Sequence, residues 1–590
     1  MKLRRPLRLG LLRLSLLAIV VGVITGFGAV LFRALIGLIH NIAFLGVFAV
    51  NYDASVFTPP GPWGAFIILV PVIGGLIVTF LITNFAPEAR GHGVPEVMDA
   101  IYYKEGVIRP VVAVIKSLAS ALSIGTGAAV GREGPIIQIG SAIGSTLGQM
   151  VRMSPWQRIT LVAAGAGAGI AATFNTPIGG VMFAIELMMP ELSARTFLPV
   201  ALATGTATFI GRIFFGIYPA FVIPRSLLAS QAPASLPSLL LYAVLGALVG
   251  LAAAAFIRAL SFAETIFERI ANPYLRNVIG MLAIGVLIYV LLRTAGHYYV
   301  EGVGYSTIQA ILSGSLALPA LLFVLFVAKI AATSVSIGAG ASGGIFSPSL
   351  FMGATLGGAF GLVVNQFVPV EGLGVITCAI IGMAAMVGGG TGAAMTAVTM
   401  IFEMTRDYDL VMPSIVAVAI AIGVRRLLSA ENIYTVKLVS RGHFVPKALH
   451  ANMFLVRRAR EVMQKDVTLL PAETDFDAFL RANATGAGFK HVVVTRDNHI
   501  AGVVRVNVGL RRGVEQAYSG VHLGDVAQRN FTLAREGDIM FDVVQRMARH
   551  SASMAVVVRG KGRGRPSEII GVISKEHIAD SVADSIKPFG

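Results

Sequence analysis

A single cysteine, Cys378, stands in a chain of 590 residues, which excludes an internal disulfide and any thiolate metal cluster. Charge is scarce as well: 13% of residues are charged, and acids are the rarer sign, 31 against 47 Lys and Arg. Soluble domains carry about 25% charged residues, so an ordinary water-soluble globule is excluded. Histidine is limited to ten residues. The apolar part shows no Ser/His pair or paired aspartates, so nothing there suggests an enzyme.

Apolar sequence fills the space instead. The chain is 55% hydrophobic, with a mean hydropathy of +0.77. Residues 65–83 and 237–257 run without a charge, close to the ~20 residues that a bilayer span needs. Other runs, such as 278–292, are shorter or broken, as expected of helices that enter a membrane and stop partway. Glycine, at 66 residues, suits helices packed backbone to backbone in lipid. The formal net charge of +16 is concentrated beside apolar segments, in "MKLRRPLRLGLLR" at the start and "GVRRLLS" at 423–429. This is positive-inside patterning, not a nucleic-acid surface, and it puts the N-terminus in the cytoplasm. The first apolar run has no small-residue cleavage site and reads as a span rather than a signal peptide.

The apolar texture ends near residue 440, and charges become frequent from about 446. Short β-like runs such as "HVVVT" at 491–495 and "MAVVVR" at 554–559 then alternate with helical ones. The expected division is a membrane domain over 1–445 and a soluble α/β module over 446–590. The module follows the last membrane segment directly, so it belongs on the cytoplasmic side.

The membrane part contains a repeat. With a shift of 213, "KSLASALSIGTGAAVGREGP" at 116–135 lies over "KIAATSVSIGAGASGGIFSP" at 329–348, aligning Lys116 with Lys329, Gly131 with Gly344 and Pro135 with Pro348. Glu186 and Glu403 follow at a shift of 217. The repeats extend over roughly 10–220 and 237–440. Related halves, each with a Gly-rich break, mark a secondary-transporter-like fold whose site lies where the breaks meet.

Both breaks read glycines, a residue pair, proline, then an apolar helix. Each is expected to be a helix N-terminus that points free N–H groups and the positive end of its dipole into the membrane. "GHGVP" at 91–95 is a third. Three such termini together form an anion site without a bare cation in lipid. Glu133, on the lip of one of them, is either a movable gate that competes with the anion or a fixed acid neutralised by Arg132.

These motifs resemble those of the CLC chloride channel/transporter family. "GREGP" at 131–135 matches its gate motif, and "GIFSP" at 344–348 its second-half motif. "ENIY" at 431–434 places Tyr434 where the family's central tyrosine hydroxyl coordinates the anion. The resemblance implies an all-α membrane domain of two inverted repeats with broken helices. It implies a homodimer with one pore per subunit, multi-pass in a bacterial inner or plasma membrane. It makes Glu133 the gate and His92, Gly93, Arg132, Glu133, Gly134, Gly344, Ile345, Phe346 and Tyr434 the anion-binding residues, with chloride as the bound ion and no metal or cofactor.

His92 departs from the family's usual serine; it either donates to the anion and senses pH or packs aside. Leu187 and Met98 stand where proton-coupled relatives carry acids, and apolar side chains relay no protons. Glu186, next to Leu187, is expected to be structural. The expected function is a gated chloride channel with passive flow; a chloride/proton antiporter with a non-standard inner proton path is the alternative, and a fluoride exporter a remote one.

Residues 446–590 resemble a CBS domain pair, at approximately 455–515 and 520–590. "REVMQKDVTLLP" and "GDVAQRNFTLAR" align at a shift of 64. Such pairs often bind adenine nucleotides through a Ser/Thr and an Asp three residues on. Here the second domain offers Ser574 with His577 and the first Arg505 with Val508, so nucleotide binding is doubtful and a dimerisation platform is the other reading.

Overall fold

In lipid, backbone N–H and C=O groups must be satisfied within the chain, so apolar runs become helices. The computed structural model describes residues 9–224, 235–368, 370, 372–445, 453–479, 491–505, 520–560, 562 and 564–586. Two units separate, Met1–Val445 and Pro446–Gly590.

In the first half of the membrane unit the helices are α1 (Leu11–His40), α2 (Val70–Phe85), α3 (Val94–Tyr103), α4 (Val111–Gly125), α5 (Glu133–Met150), α6 (Pro155–Phe174), α7 (Pro177–Phe183) and α8 (Ala194–Phe215). The second half contributes α9 (Leu236–Glu268), α10 (Pro273–Ala295), α11 (Tyr305–Leu312), α12 (Pro319–Ala339), α13 (Phe346–Phe367), α14 (Val375–Thr391), α15 (Ala394–Thr405), α16 (Val411–Leu428) and α17 (Thr435–Ser440). Among the described residues, eight helices are long and apolar enough to cross a membrane. The broken run at 278–292 is one of them: the span extends over Pro273–Ala295. Arg276 and Asn277 interrupt the hydropathy of its first turns without ending the helix, which Asn272 caps by accepting from the Tyr274 and Leu275 amides.

The halves pack by the same rule. In the first, a Cβ on Gly140 would strike the backbone of Gly165, and in the second a Cβ on Gly353 would strike that of Gly382. Glycine at these crossings of α5 on α6 and α13 on α14 lets the helix axes approach closely. Positions 140 and 353 are again 213 apart.

The halves also brace each other. Ser336 accepts from the Ala129 amide at 3.2 Å, and Ser123 accepts from the Ser342 amide at 3.1 Å. The Glu186 carboxylate accepts from the amides of Met395 and Thr396 at 3.0 and 2.7 Å, at the start of α15. Glu403 accepts from the amides of Ile178 and Gly179 at 3.1 and 2.7 Å, at the start of α7. Each half thus lends a carboxylate to cap a helix N-terminus of the other. This is the structural role expected of Glu186.

The second unit holds two similar sheets. β1 (Thr468–Pro471) pairs parallel with β2 (His491–Arg496), which pairs antiparallel with β3 (His499–Arg505). β4 (Phe531–Arg535), β5 (Met554–Val558) and β6 (Ile569–Ser574) repeat that order. The helices Ala459–Val462 and Leu523–Val526 precede them, so the aligned Val462 and Val526 each end a short helix. Gln464 bridges to Val572 in β6, and Gln528 to Val503 in β3, each reaching the other sheet. This two-fold arrangement is consistent with a CBS pair.

Candidate functional site

The three glycine-rich breaks meet. Gly131 and Gly344 exchange backbone hydrogen bonds, Gly131 N–H to Gly344 O at 2.7 Å and Gly344 N–H to Gly131 O at 2.5 Å. Gly91 donates to Ala341 O at 3.2 Å and accepts from the Gly343 amide at 3.3 Å. These bonds set the starts of α3, α5 and α13 side by side. Gly91 and Gly93 have φ of +73° and +80°, a conformation that glycine adopts without steric cost.

A fourth break joins them. "GVGYS" at 302–306 lies 211 residues after "GHGVP", with Gly302 and Gly304 at φ +49° and +77° opening α11. Two buried lysines, mates in the repeat, hold the two loops. Lys116 donates to the carbonyls of Ala89 and Gly91 at 2.9 and 2.7 Å, and Lys329 to those of Val300 and Gly302 at 2.8 and 2.9 Å. The aligned lysines thus hold the two loops by their carbonyls in the same way in each half.

Glu133 lies at the centre, fully buried. Its Oε1 accepts from the hydroxyls of Tyr305 and Ser347, and its Oε2 accepts from the Ser347 amide at 3.2 Å. The carboxylate of one repeat thus occupies the N-terminus of α13, where the orphan amides and the dipole favour a negative charge. Arg132 does not pair with it. The guanidinium carbon sits 5.0 Å from the centre of the Tyr305 ring, and Nε is buried without a partner among the described residues. Among the described residues the carboxylate is held by donors of the second repeat, not by Arg132.

The remaining expected residues are distributed around this seat. Gly134 follows Glu133 in α5 and approaches both His92 O and Gly344 Cα. Ile345 caps α13 and Phe346 opens it; both are buried. Tyr434 caps α17, with its amide donating to Asn432 Oδ1 at 2.9 Å. Its ring lies 5.9 Å from that of His92. His92 is 1% exposed, and its Nδ1 has no partner among the described residues. The imidazole is thus shielded from water, with Nδ1 left unsatisfied among the described residues.

Leu187 and Met98 are buried. Beside them, Glu186 spends both oxygens on α15. In the second unit, Ser574 N–H donates to His577 Nδ1 at 3.2 Å and His577 N–H to Ser574 Oγ at 3.4 Å, so this pair caps its own helix start. Val508 lies outside the described residues.

Sequence reasoning missed Tyr305 and Ser347. Tyr305 follows a break that carries no proline to mark it, yet the spacing of Gly302 and Gly304 copies that of Gly91 and Gly93. Ser347 was inside a quoted motif, one residue beyond the two amides singled out.

Comparison with known proteins accords with this geometry. A family profile described as "Voltage gated chloride channel" matches residues 74–426. The H(+)/Cl(-) exchange transporter ClcA of Citrobacter koseri is 31% identical over 432 residues, 72% of this chain and 88% of the relative. ClcA of Klebsiella pneumoniae is 32% identical over 431 residues, again 72% and 88%. The crystal structure of a slow cyanobacterial Cl-/H+ antiporter superposes with a TM-score of 0.64 at 27% identity, covering 73% of this chain and 98% of that one. A eukaryotic CLC transporter shares the fold over 96% of this chain and 98% of its own, with a TM-score of 0.59 and 20% identity. The chain belongs to the CLC family: it is an integral, multi-pass membrane protein that transports anions.

Proposed function

We propose that the protein exchanges chloride for protons, with Glu133 serving both as the gate and as the proton carrier. This replaces the channel expected from the sequence. The carrying observation is the seat of Glu133: a carboxylate fills the N-terminus of α13, held by the Ser347 amide and two hydroxyls. A halide and a carboxylate make the same demand on those donors, so they compete for one place. Protonation removes the charge that holds Glu133 there and frees the donors for chloride. Return of the carboxylate expels chloride and carries the vacancy for a new proton. Ile345, Phe346 and Tyr434, with Gly93, Gly134, Gly344 and His92 behind them, form the rest of the anion path. The names of the exchange transporters at 31–32% identity support the same reading.

The proton's route on the inner side does not pass through Leu187, Met98 or Glu186, because two are apolar and the third is committed to α15. The protein works as a homodimer in the plasma membrane, with N-terminus and CBS pair in the cytoplasm. The pair acts as a dimerisation and regulatory platform, since Ser574 and His577 satisfy each other.

The test is proton movement in liposomes containing the purified protein. An outward chloride gradient should drive protons against their own gradient. Chloride efflux that collapses an applied voltage with no proton movement would establish the passive channel, which the apolar Leu187 and Met98 favour.

A further inference from the structure

A cleft of about 180 Å³ opens beyond the C-terminal ends of α1, α6 and α8. Its charged lining residues are Arg33, Arg132, Arg212 and Asp53. In the lining itself three positive charges face one negative. Such a net positive field inside a concave wall attracts an anion.

The donors are presented rather than consumed. Arg33 lies flat against Phe215, with its guanidinium carbon 4.3 Å from the ring centre. Arg212 commits Nε to Asn175 Oδ1 at 2.6 Å, which fixes the plane of its fork. Arg132 Nε is buried without a partner among the described residues. Asp53 is turned into its own loop, with Oδ1 accepting from the Ser55 amide at 2.9 Å. Guanidinium forks match pairs of oxygens on one atom. The volume exceeds the ~30 Å³ of one water several-fold, room for a tetrahedral oxyanion with some of its water.

The geometry points to a second anion site in this cleft, formed by Arg33, Arg132 and Arg212, that takes a tetrahedral dianion of the sulfate or hydrogenphosphate class. Its floor is Tyr305, which also lines the cleft and donates to Glu133. A dianion held there stands over the gate and slows chloride passage. Binding is independent of the exchange reading; only this effect on flux rests on it.

The test titrates sodium sulfate, and separately sodium hydrogenphosphate, into the full-length protein in detergent at saturating chloride, followed by calorimetry. Sodium bromide at equal ionic strength is the control. Saturable binding is expected for at least one dianion and not for bromide. Arg33→Gln and Arg212→Gln should each weaken it by about tenfold, the loss of one charge-assisted hydrogen bond. In liposomes, the dianion that binds should slow chloride efflux in the wild type and act at about tenfold higher concentration in either variant. Arg33→Lys, which keeps the charge without the fork, should bind better than Arg33→Gln and worse than wild type. Unsaturable heats, equal heats with bromide, or equal affinity in wild type and variants would overturn the site. Saturable binding in a protein that moves no chloride would sink the transport reading and leave the cleft standing.

Discussion

Glu133 Oε2 accepts a hydrogen bond from the Ser347 amide at 3.2 Å, although 214 residues separate them. One repeat thereby plugs the helix terminus of the other. On the proposed exchange, the same place cannot hold chloride until that carboxylate leaves.

On the proposed exchange, Glu133→Gln should uncouple chloride from protons. A neutral amide gives up the charge that competes with chloride, so chloride flux should continue and lose its pH dependence, while proton movement should vanish. Paired chloride and pH electrodes on liposomes measure both. Proton movement that persists at the wild-type ratio to chloride would remove Glu133 from the mechanism.

Tyr305→Phe removes one donor from Oε1 while Ser347 remains. A hydrogen bond to a charged group contributes about 1.5–3 kcal/mol. Losing it loosens the carboxylate's hold on its seat, so chloride flux at a fixed pH should rise. Unchanged flux would mean the hydroxyl does not hold the gate.

His92→Ser should retain chloride transport, because a serine hydroxyl supplies the single donor that the neutral imidazole supplies. One of the two sequence readings has this histidine also sense pH. Its burial at 1% exposure argues otherwise, since desolvation disfavours a charged ring. The flux profile between about pH 5 and 8 should therefore match the wild type; a flattened profile would restore His92 as the sensor.

Glu301 carries a pH effect on stability instead. It sits in the loop before α11, and Thr58 donates to its Oε1 at 2.5 Å. Burial pushes its carboxyl up to about 7, against the opposing pull of Thr58 and Lys329. The folded state therefore keeps a proton that the unfolded chain releases near pH 4.3. The stabilisation is complete below about pH 4.3 and is lost as pH rises to about 7. Thermal unfolding in detergent should show this decline, and Glu301→Gln should flatten it. Parallel curves for both proteins would show that Glu301 titrates normally.

Much of the site was legible because helix termini have a local grammar. Gly91, Gly131 and Gly344 each precede a helix start, and the shift of 213 pairs Gly131 with Gly344 within the sequence itself. What escaped depends on contacts between distant segments. Tyr305 reaches Glu133 across 172 residues and Glu186 reaches Thr396 across 210, and no window of sequence shows such partners. The span at Pro273–Ala295 escaped for a simpler reason: Arg276 lowers the hydropathy of a helix that continues through it. The preference for a passive pore followed from the apolar Leu187 and Met98, while the similarity to exchange transporters at 31–32% identity favours the antiporter that the sequence held as its alternative.

The crossed carboxylates carry a consequence for biosynthesis. When residue 220 leaves the ribosome, α7 has no Glu403, the Ser123 hydroxyl has no Ser342 amide to hold, and Glu133 has no seat. The nascent first half must wait in the bilayer with polar groups unsatisfied until some 180 further residues have been translated. Inserted alone, it leaves these groups unsatisfied in lipid, so a gene cut between the repeats should yield more protein when both pieces are made in the same cell.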